Sequence, residues 1–346
     1  MSFQDRIDAG LERALPRAVG TGGTGEPDQP PRLDLHADSL IIFSDHHKGA
    51  RNRADDFVQC EPAYLGALAH YFAHGFRLAI LGDGEELWEE RPRSVVEAYA
   101  KVFAAEARFH VAGRYQKFWG NHDEQWRSGR IVERWLCEPF GGRLPDIAES
   151  ACYTLTDNGE VLGTLYLVHG HQGTHNNERW AVLARLTVRW LWRPIQQLTG
   201  YSSNTPASNR ELRNRHNSAM YGWASRQEGL LLVTGHTHRP VFGSLSWLDH
   251  VEKVLQMEVG HAFADHPDPS LWAKLDRLAR SSVWIGGAER VPSYFNAGCC
   301  CFPDGSITGL ELSDGEIRLV RWDTLDGEPQ RRLLATAPAR ELLARV

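Results

Sequence analysis

Five short apolar runs in this chain each end in a cluster of histidine, aspartate or asparagine, and that recurrence limits the fold more than any other feature. Ser39–Phe43 leads into Ser44-Asp45-His46-His47, and Arg77–Leu81 leads into Gly82-Asp83-Gly84-Glu85-Glu86. Tyr115–Trp119 leads into Gly120-Asn121-His122-Asp123, and Val161–Val168 into His169-Gly170-His171. The last, Leu230–Val233, ends in Thr234-Gly235-His236-Thr237-His238. Short apolar runs bounded by glycine and polar residues read as buried strands. Helical sequence separates the first three, from about Ala54 to Phe72 with a restart at Pro62, and from Ser94 to Ala112. The alternation predicts an α/β fold, a class that builds its sites where strands end.

The pattern changes further along. Ala151–Thr156 and Val161–Val168 flank Asp157-Asn158-Gly159, a hairpin signal, and Ser293–Asn296, Ser306–Leu312 and Glu316–Trp322 read as strands. At the start Phe3, Ile7, Leu11 and Leu15 recur every fourth residue, which predicts an amphipathic helix that ends at Pro16 and docks on the domain. Gly20–Pro31 is rich in glycine and proline and reads as a flexible lead-in. The expected organisation is a lead segment at 1–35, a main domain at 36–325 and a tail at 326–346 with a short helix near Glu341–Arg345. A helical insertion is expected at 174–229.

Bulk properties exclude some classes. A net charge of −6 and a pI near 6.2 argue against a general nucleic-acid or membrane coat. No apolar run is long enough to span a bilayer, and the start lacks the pattern of a secretory signal, so a cytoplasmic location is expected. The six cysteines, Cys60, Cys137, Cys152 and the run Cys299 to Cys301, have no framework spacing and read as small packed residues.

Asp45, His47, Asp83, Asn121, His169, His236 and His238 together supply oxygen and imidazole donors, the set that two adjacent divalent ions require. Their motifs, D-x-H, G-D-x-x-E, G-N-H-D, a single His and G-H-x-H, stand in the order of the calcineurin-like metallophosphoesterases, and the chain resembles that family from Asp45 to His238. The resemblance implies an αββα fold, two facing mixed sheets flanked by helices. It also implies that Asp45, His47 and His238 hold one ion, that Asn121, His169 and His236 hold the other, and that Asp83 bridges them. Manganese is the expected metal, with iron or zinc as alternatives, since imidazole and carboxylate ligation suits these better than magnesium or calcium.

The activity so implied is hydrolysis of a phosphodiester or pyrophosphate bond by a metal-activated hydroxide. His122 would serve as general acid or as a cation beside the leaving group, with Asp123 orienting it. His46 and His171 read as loop residues or as supports of the ligands, and Lys48, Arg51 and Arg53 as phosphate contacts or a solvated basic turn. Asp83, Glu86 and Trp88 match G-D-x-x-E-x-W, which is similar to the UDP-diacylglucosamine pyrophosphatases, although the best-known of those enzymes carry arginine at the position of His122. In the 174–229 insertion eight arginines face three acidic residues, and Trp180, Leu183, Trp190 and Leu191 share a helical face beside Arg185, Arg189 and Arg193. That suits a lipid phosphate ester or peripheral contact with a membrane, against a bland alternative of ordinary core packing. A nuclease or cyclic-nucleotide phosphodiesterase on the same metals, and a non-catalytic scaffold of the same fold, are the competing readings.

Overall fold

In the computed structural model, which describes residues 1–16, 30–174, 210–244 and 291–346, all five apolar runs are strands. In chain order the first elements are α1 (Phe3–Ala14), β1 (Arg32–Asp34), β2 (Leu40–Phe43), α2 (Glu61–Ala73), β3 (Arg77–Leu81), α3 (Pro92–Ala98) and α4 (Ala100–Val111). Next come β4 (Tyr115–Phe118), α5 (Gly129–Leu136), β5 (Ile147–Ala148), β6 (Ser150–Asp157), β7 (Glu160–Val168) and α6 (Arg210–Ala224). The chain closes with β8 (Leu230–Thr234), β9 (Tyr294–Asn296), β10 (Ile307–Ser313), β11 (Glu316–Leu325), β12 (Glu328–Pro338) and α7 (Ala339–Leu343).

Two mixed sheets result. The larger has the order β12-β11-β10-β2-β3-β4-β5, parallel from β2 to β5 and antiparallel from β12 to β2. The smaller has the order β1-β6-β7-β8-β9, in which only the β6–β7 hairpin is antiparallel.

Because side chains alternate along a strand, each sheet buries two faces. Leu40, Ile42, Ala79 and Leu81 of the larger sheet meet Leu165, Leu167, Leu231 and Val233 of the smaller one between the sheets. The opposite face of the larger sheet, with Ile41, Phe43, Leu78 and Ile80, packs on Tyr64, Leu68, Val102 and Phe103 of α2 and α4. The outer face of the smaller sheet, with Tyr166, Val168, Leu230 and Leu232, packs on Ile7 and Leu11 of α1 and on Met220 and Trp223 of α6. The layers are therefore helix, sheet, sheet, helix, and each large apolar side chain buried this way contributes about 1.5–3 kcal/mol.

Ser2 caps α1 through a reciprocal box with Asp5, and the Tyr166 hydroxyl donates to the Leu11 carbonyl (3.1 Å), which fixes the first helix on the domain. The helix expected from Ser94 to Ala112 is broken at Tyr99. Its ring is buried, its hydroxyl donates to Asp55 Oδ2 (2.8 Å), and its backbone leaves the helical region. The sequence boundary at 325 falls at the Asp326-Gly327 turn of the β11–β12 hairpin, and the segment beyond it adds the edge strand β12 before α7. Of the insertion, α6 is described; Trp180, Leu183, Arg185, Arg189, Trp190, Leu191 and Arg193 lie outside the described residues, as does most of the 20–31 lead-in. Among the described residues no helix is long and apolar enough to cross a membrane.

Candidate metal centre

The loops that follow β2, β3, β4, β7 and β8 meet at one edge of the sandwich. Five of the seven proposed ligands, Asp45, His47, Asp83, His236 and His238, have φ between 49 and 68°. That left-handed conformation costs an L-residue roughly 1–2 kcal/mol, and it persists only where surroundings hold it. Here the Asp45 and His47 amides donate to the Gly82 and Asp83 carbonyls (3.1 and 3.0 Å). The His236 amide donates to Asp45 Oδ2 and the His122 amide to Asp83 Oδ1, both at 2.8 Å. The glycines of the motifs make room for this: a Cβ at Gly235 would lie 1.9 Å from Ser44 Oγ and 2.4 Å from Asp45 Oδ2, and one at Gly120 would lie 2.2 Å from Asp83 Oδ1.

Two donor clusters form, joined at Asp83. In the first, His238 Nε2 lies 3.1 Å from His47 Nε2 and 3.3 Å from Asp45 Oδ1. In the second, His169 Nε2 lies 3.1 Å from Asp83 Oδ2, and His236 completes the group. Asp83 Oδ2 is also 3.9 Å from His47 Nε2, so one carboxylate oxygen stands between the clusters. Ligand atoms about 2.0–2.2 Å from an ion stand roughly 3–3.5 Å from one another. The 3.1, 3.3 and 3.1 Å separations fall in that range, and His47 Nε2, 3.9 Å from both Asp45 Oδ1 and Asp83 Oδ2, lies a little outside it.

A separate observation supports the fit. Asp45 Oδ1, Asn121 Oδ1 and His169 Nε2 are buried without a hydrogen-bond partner, an arrangement that proteins avoid unless an ion or water is to be received. The tautomer of His169 is set for it, because Nδ1 donates to the Leu81 carbonyl (2.7 Å) and leaves the Nε2 lone pair toward Asp83. Burial opposes a charged His169, yet Asp83 and Asp45 outweigh it and lift the ring to about 9. The carboxylates that would hold a proton there are those that would share a cation. Burial likewise works to raise Asp83, but His169 and His122 keep it well below the ordinary carboxylate range.

His122 is close by but partnered differently from expectation. Its Nδ1 is 2.7 Å from Glu86 Oε2, and the same oxygen is 2.9 Å from His47 Nδ1. Burial disfavours the imidazolium, but Glu86 and Asp83 prevail and raise it to about 9. Trp88 stacks on the ring, with centroids 4.3 Å apart and planes 14° from parallel. Asp123, expected to orient His122, does not: its oxygens accept from the Gly84 and Gly120 amides (2.8 and 2.6 Å), tying two ligand loops together. The physical reason is reach, since these loop amides surround the Asp123 carboxylate while Glu86 comes to His122 from the neighbouring strand end.

Other expectations are corrected too. Lys48 is no phosphate contact and no solvated turn; it is fully buried, 2.8 Å from Glu106 Oε1 and 3.1 Å from Glu85 Oε1. Arg51 is held by Glu61 and by the face of Tyr99, whereas Arg53 is exposed. His46 packs among Phe43, Phe57 and Tyr64 in the helix-side core, where burial drives it well below 6.5 and keeps it neutral. His171 lies beside His169 and Trp119. One residue that the sequence did not single out is His216 of α6, whose Nε2 donates to the Gly170 carbonyl (2.8 Å) and whose ring stands 5.1 Å from that of His236.

No family model and no curated protein sequence matches this chain significantly. Solved structures that resemble it include vacuolar protein sorting 29 from Cryptosporidium parvum, at 11% identity and a TM-score of 0.33 over 86% of this chain and 96% of that one. A cold-active protein tyrosine phosphatase is similar at 11% identity and a TM-score of 0.33, over 92% of this chain and 87% of that one. A dimetal phosphatase from Danio rerio is similar at 12% identity and a TM-score of 0.33, over 87% of this chain and all of that one. At TM-scores this low they decide nothing about the chemistry, which the two clusters around Asp83 must carry by themselves.

Proposed function

We propose that this protein is a dinuclear metal-dependent phosphoric ester hydrolase acting on a phosphodiester or pyrophosphate bond. The observation that carries the reading is Asp83 Oδ2, flanked on one side by Asp45, His47 and His238 and on the other by His169 and His236. Asp45, His47 and His238 would hold one ion and Asn121, His169 and His236 the other, with Asp83 between them. Such a pair supplies acidified water and neutralises charge on the phosphoryl oxygens.

The side chains account for the rest. Glu86 takes the Nδ1 side of His122 and keeps the ring protonated, so Nε2 is left to give a proton to the departing oxygen. Trp88 fixes the plane of that ring, and its indole N–H donates to the Asn121 carbonyl. Glu86 and Trp88 both contact His122, and their match to G-D-x-x-E-x-W supports a nucleotide-linked lipid pyrophosphate as the substrate class. Manganese is the working metal in this reading, and the 174–229 insertion would meet the lipid or a membrane surface.

The test is to strip the protein with a chelator, reload it with Mn²⁺, and offer mono-, di- and pyrophosphate esters, UDP-lipids and single-stranded nucleic acid. Hydrolysis of a diester or pyrophosphate that requires Mn²⁺ and disappears in Asp83→Asn is the expected result. Two bound ions with no hydrolysis of any ester would leave a scaffold and overturn the proposal.

A further inference from the structure

Cys299, Cys300 and Cys301 stand on the loop between β9 and β10, and their thiols separate into two environments. Cys300 Sγ approaches the Thr308 carbonyl (3.9 Å), and nearby Cys60 Sγ reaches the carbonyls of Phe302 and Ser306 (3.2 and 3.4 Å). Both are engaged by backbone oxygen. Cys299 and Cys301 instead lie against His238: Cys301 Sγ is 3.7 Å from its Nδ1, and one donor atom from each of the three residues falls within 4.8 Å of the others. The loop is anchored, since the Cys300 amide donates to the Asp45 carbonyl (3.1 Å) and the Gly298 amide to Asn296 Oδ1 (2.9 Å).

Two thiol sulfurs and an imidazole nitrogen are the donors that thiophilic cations select, and three protein ligands leave a fourth position open. With metal–sulfur bonds of about 2.3 Å and metal–nitrogen bonds of about 2.0 Å, such donors stand roughly 3.5–4 Å apart, so small side-chain adjustments suffice. We propose that Cys299, Cys301 and Nδ1 of His238 form a soft-ligand site for a thiophilic divalent cation such as Zn²⁺ or Cd²⁺, back to back with the oxygen and nitrogen centre. Binding converts two thiols to thiolates and releases two protons to solvent, with no change of oxidation state.

A consequence follows from the ring they share, and it rests on the function proposed above. His238 Nε2 faces Asp45 and His47, while Nδ1 faces Cys301 Sγ, with Cys299 in the same donor group. A neutral imidazole has one lone pair. When the soft cation takes Nδ1, the ring proton moves to Nε2 and His238 leaves the other centre, so thiophilic cations expel one catalytic ion and inhibit.

The experiment is a titration of the full-length, Mn²⁺-loaded protein with Cd²⁺, following the ultraviolet thiolate-to-cadmium charge-transfer band and the free Mn²⁺ signal by electron paramagnetic resonance. We expect a saturable band in the wild type, its loss in Cys299→Ser and in Cys301→Ser, its retention in Cys300→Ser, and Mn²⁺ release in step with it. No band in the folded wild type, or a band that survives both substitutions, overturns the sulfur site. A band without Mn²⁺ release overturns the sharing of His238. If the protein never takes up Mn²⁺ but the band still forms and depends on Cys299 and Cys301, the sulfur site stands and it is the phosphoesterase reading that fails.

Discussion

Replacing Glu106 with alanine should destabilise this protein by about 4 kcal/mol, and the reason lies in a buried quartet of charges beneath the ligand loops. Lys48, Glu85, Glu106 and Lys117 are each no more than 1% exposed. Lys48 Nζ is 2.8 Å from Glu106 and 3.1 Å from Glu85, and Lys117 Nζ is 3.0 Å from Glu85. Glu106 also accepts from the hydroxyls of Tyr64 (3.2 Å) and Tyr115 (2.9 Å), and Glu85 from the indole of Trp126 (2.6 Å). Burial alone would raise Glu85, but Lys117 and Lys48 hold it down to about 2.

Two cations and two anions cancel, and removing Glu106 leaves one uncompensated positive charge in the core. Breaking a buried pair from one side costs about 3–5 kcal/mol, a range that already absorbs part of the cost of the two orphaned hydroxyls. Urea denaturation followed by two coincident probes gives the number. Glu106→Gln, which keeps an acceptor, should lose about 2 kcal/mol, and the double variant Lys48→Met/Glu106→Leu should recover much of the single loss because it restores neutrality. A loss under about 1 kcal/mol for Glu106→Ala, or a double variant worse than the sum of its parts, would refute the reasoning.

Other outcomes follow from the same geometry. Glu86→Ala frees both His47 and His122, so metal affinity or turnover should fall about 10–100-fold, measured by Mn²⁺ titration and by kcat at saturating metal. Gly235→Ala drives a methyl group into Ser44 and Asp45 and should yield folded protein that retains little metal by elemental analysis. Gly129→Ala, with open space around it at the start of α5, should be neutral or stabilising by about 0.5–1 kcal/mol. Burial works to raise Asp304, but Arg321 at 2.6 Å keeps it below 3.8. The pair therefore stabilises above that pH, and the lead of wild type over Asp304→Asn should shrink as acid carries the solution below it in a denaturation series.

The parts of this structure that sequence revealed are those encoded locally. An apolar run that ends at once in a turn carrying a metal-type donor is one contiguous signal, so the meeting of Asp45, His47, Asp83, His169, His236 and His238 was legible along with the strands that carry them. What escaped depends on distant partners. Glu86 matched a motif, but that it serves both His47 and His122 is a matter of approach across 39 and 36 residues. Lys48 looked solvated because nothing near it in sequence announces Glu106, 58 residues away. The strand β12, EPQRRLLATAP, carries two prolines and a run of charge, and only its pairing with β11 makes a strand of it. The three residues of β1 are too few to form a pattern.

The proposed ligands come from opposite halves of the sandwich: Asp45, His47, Asp83 and Asn121 from the larger sheet, His169, His236 and His238 from the smaller. Ions gripped by both would act as rivets through the seam, so the cohesion of the two halves would track the free metal concentration. At a hundredfold excess over Kd, one such rivet adds about 2.7 kcal/mol to the folded state. The melting temperature of this protein would then be a gauge of its metal supply, rising as the seam is closed and falling as a chelator draws it open.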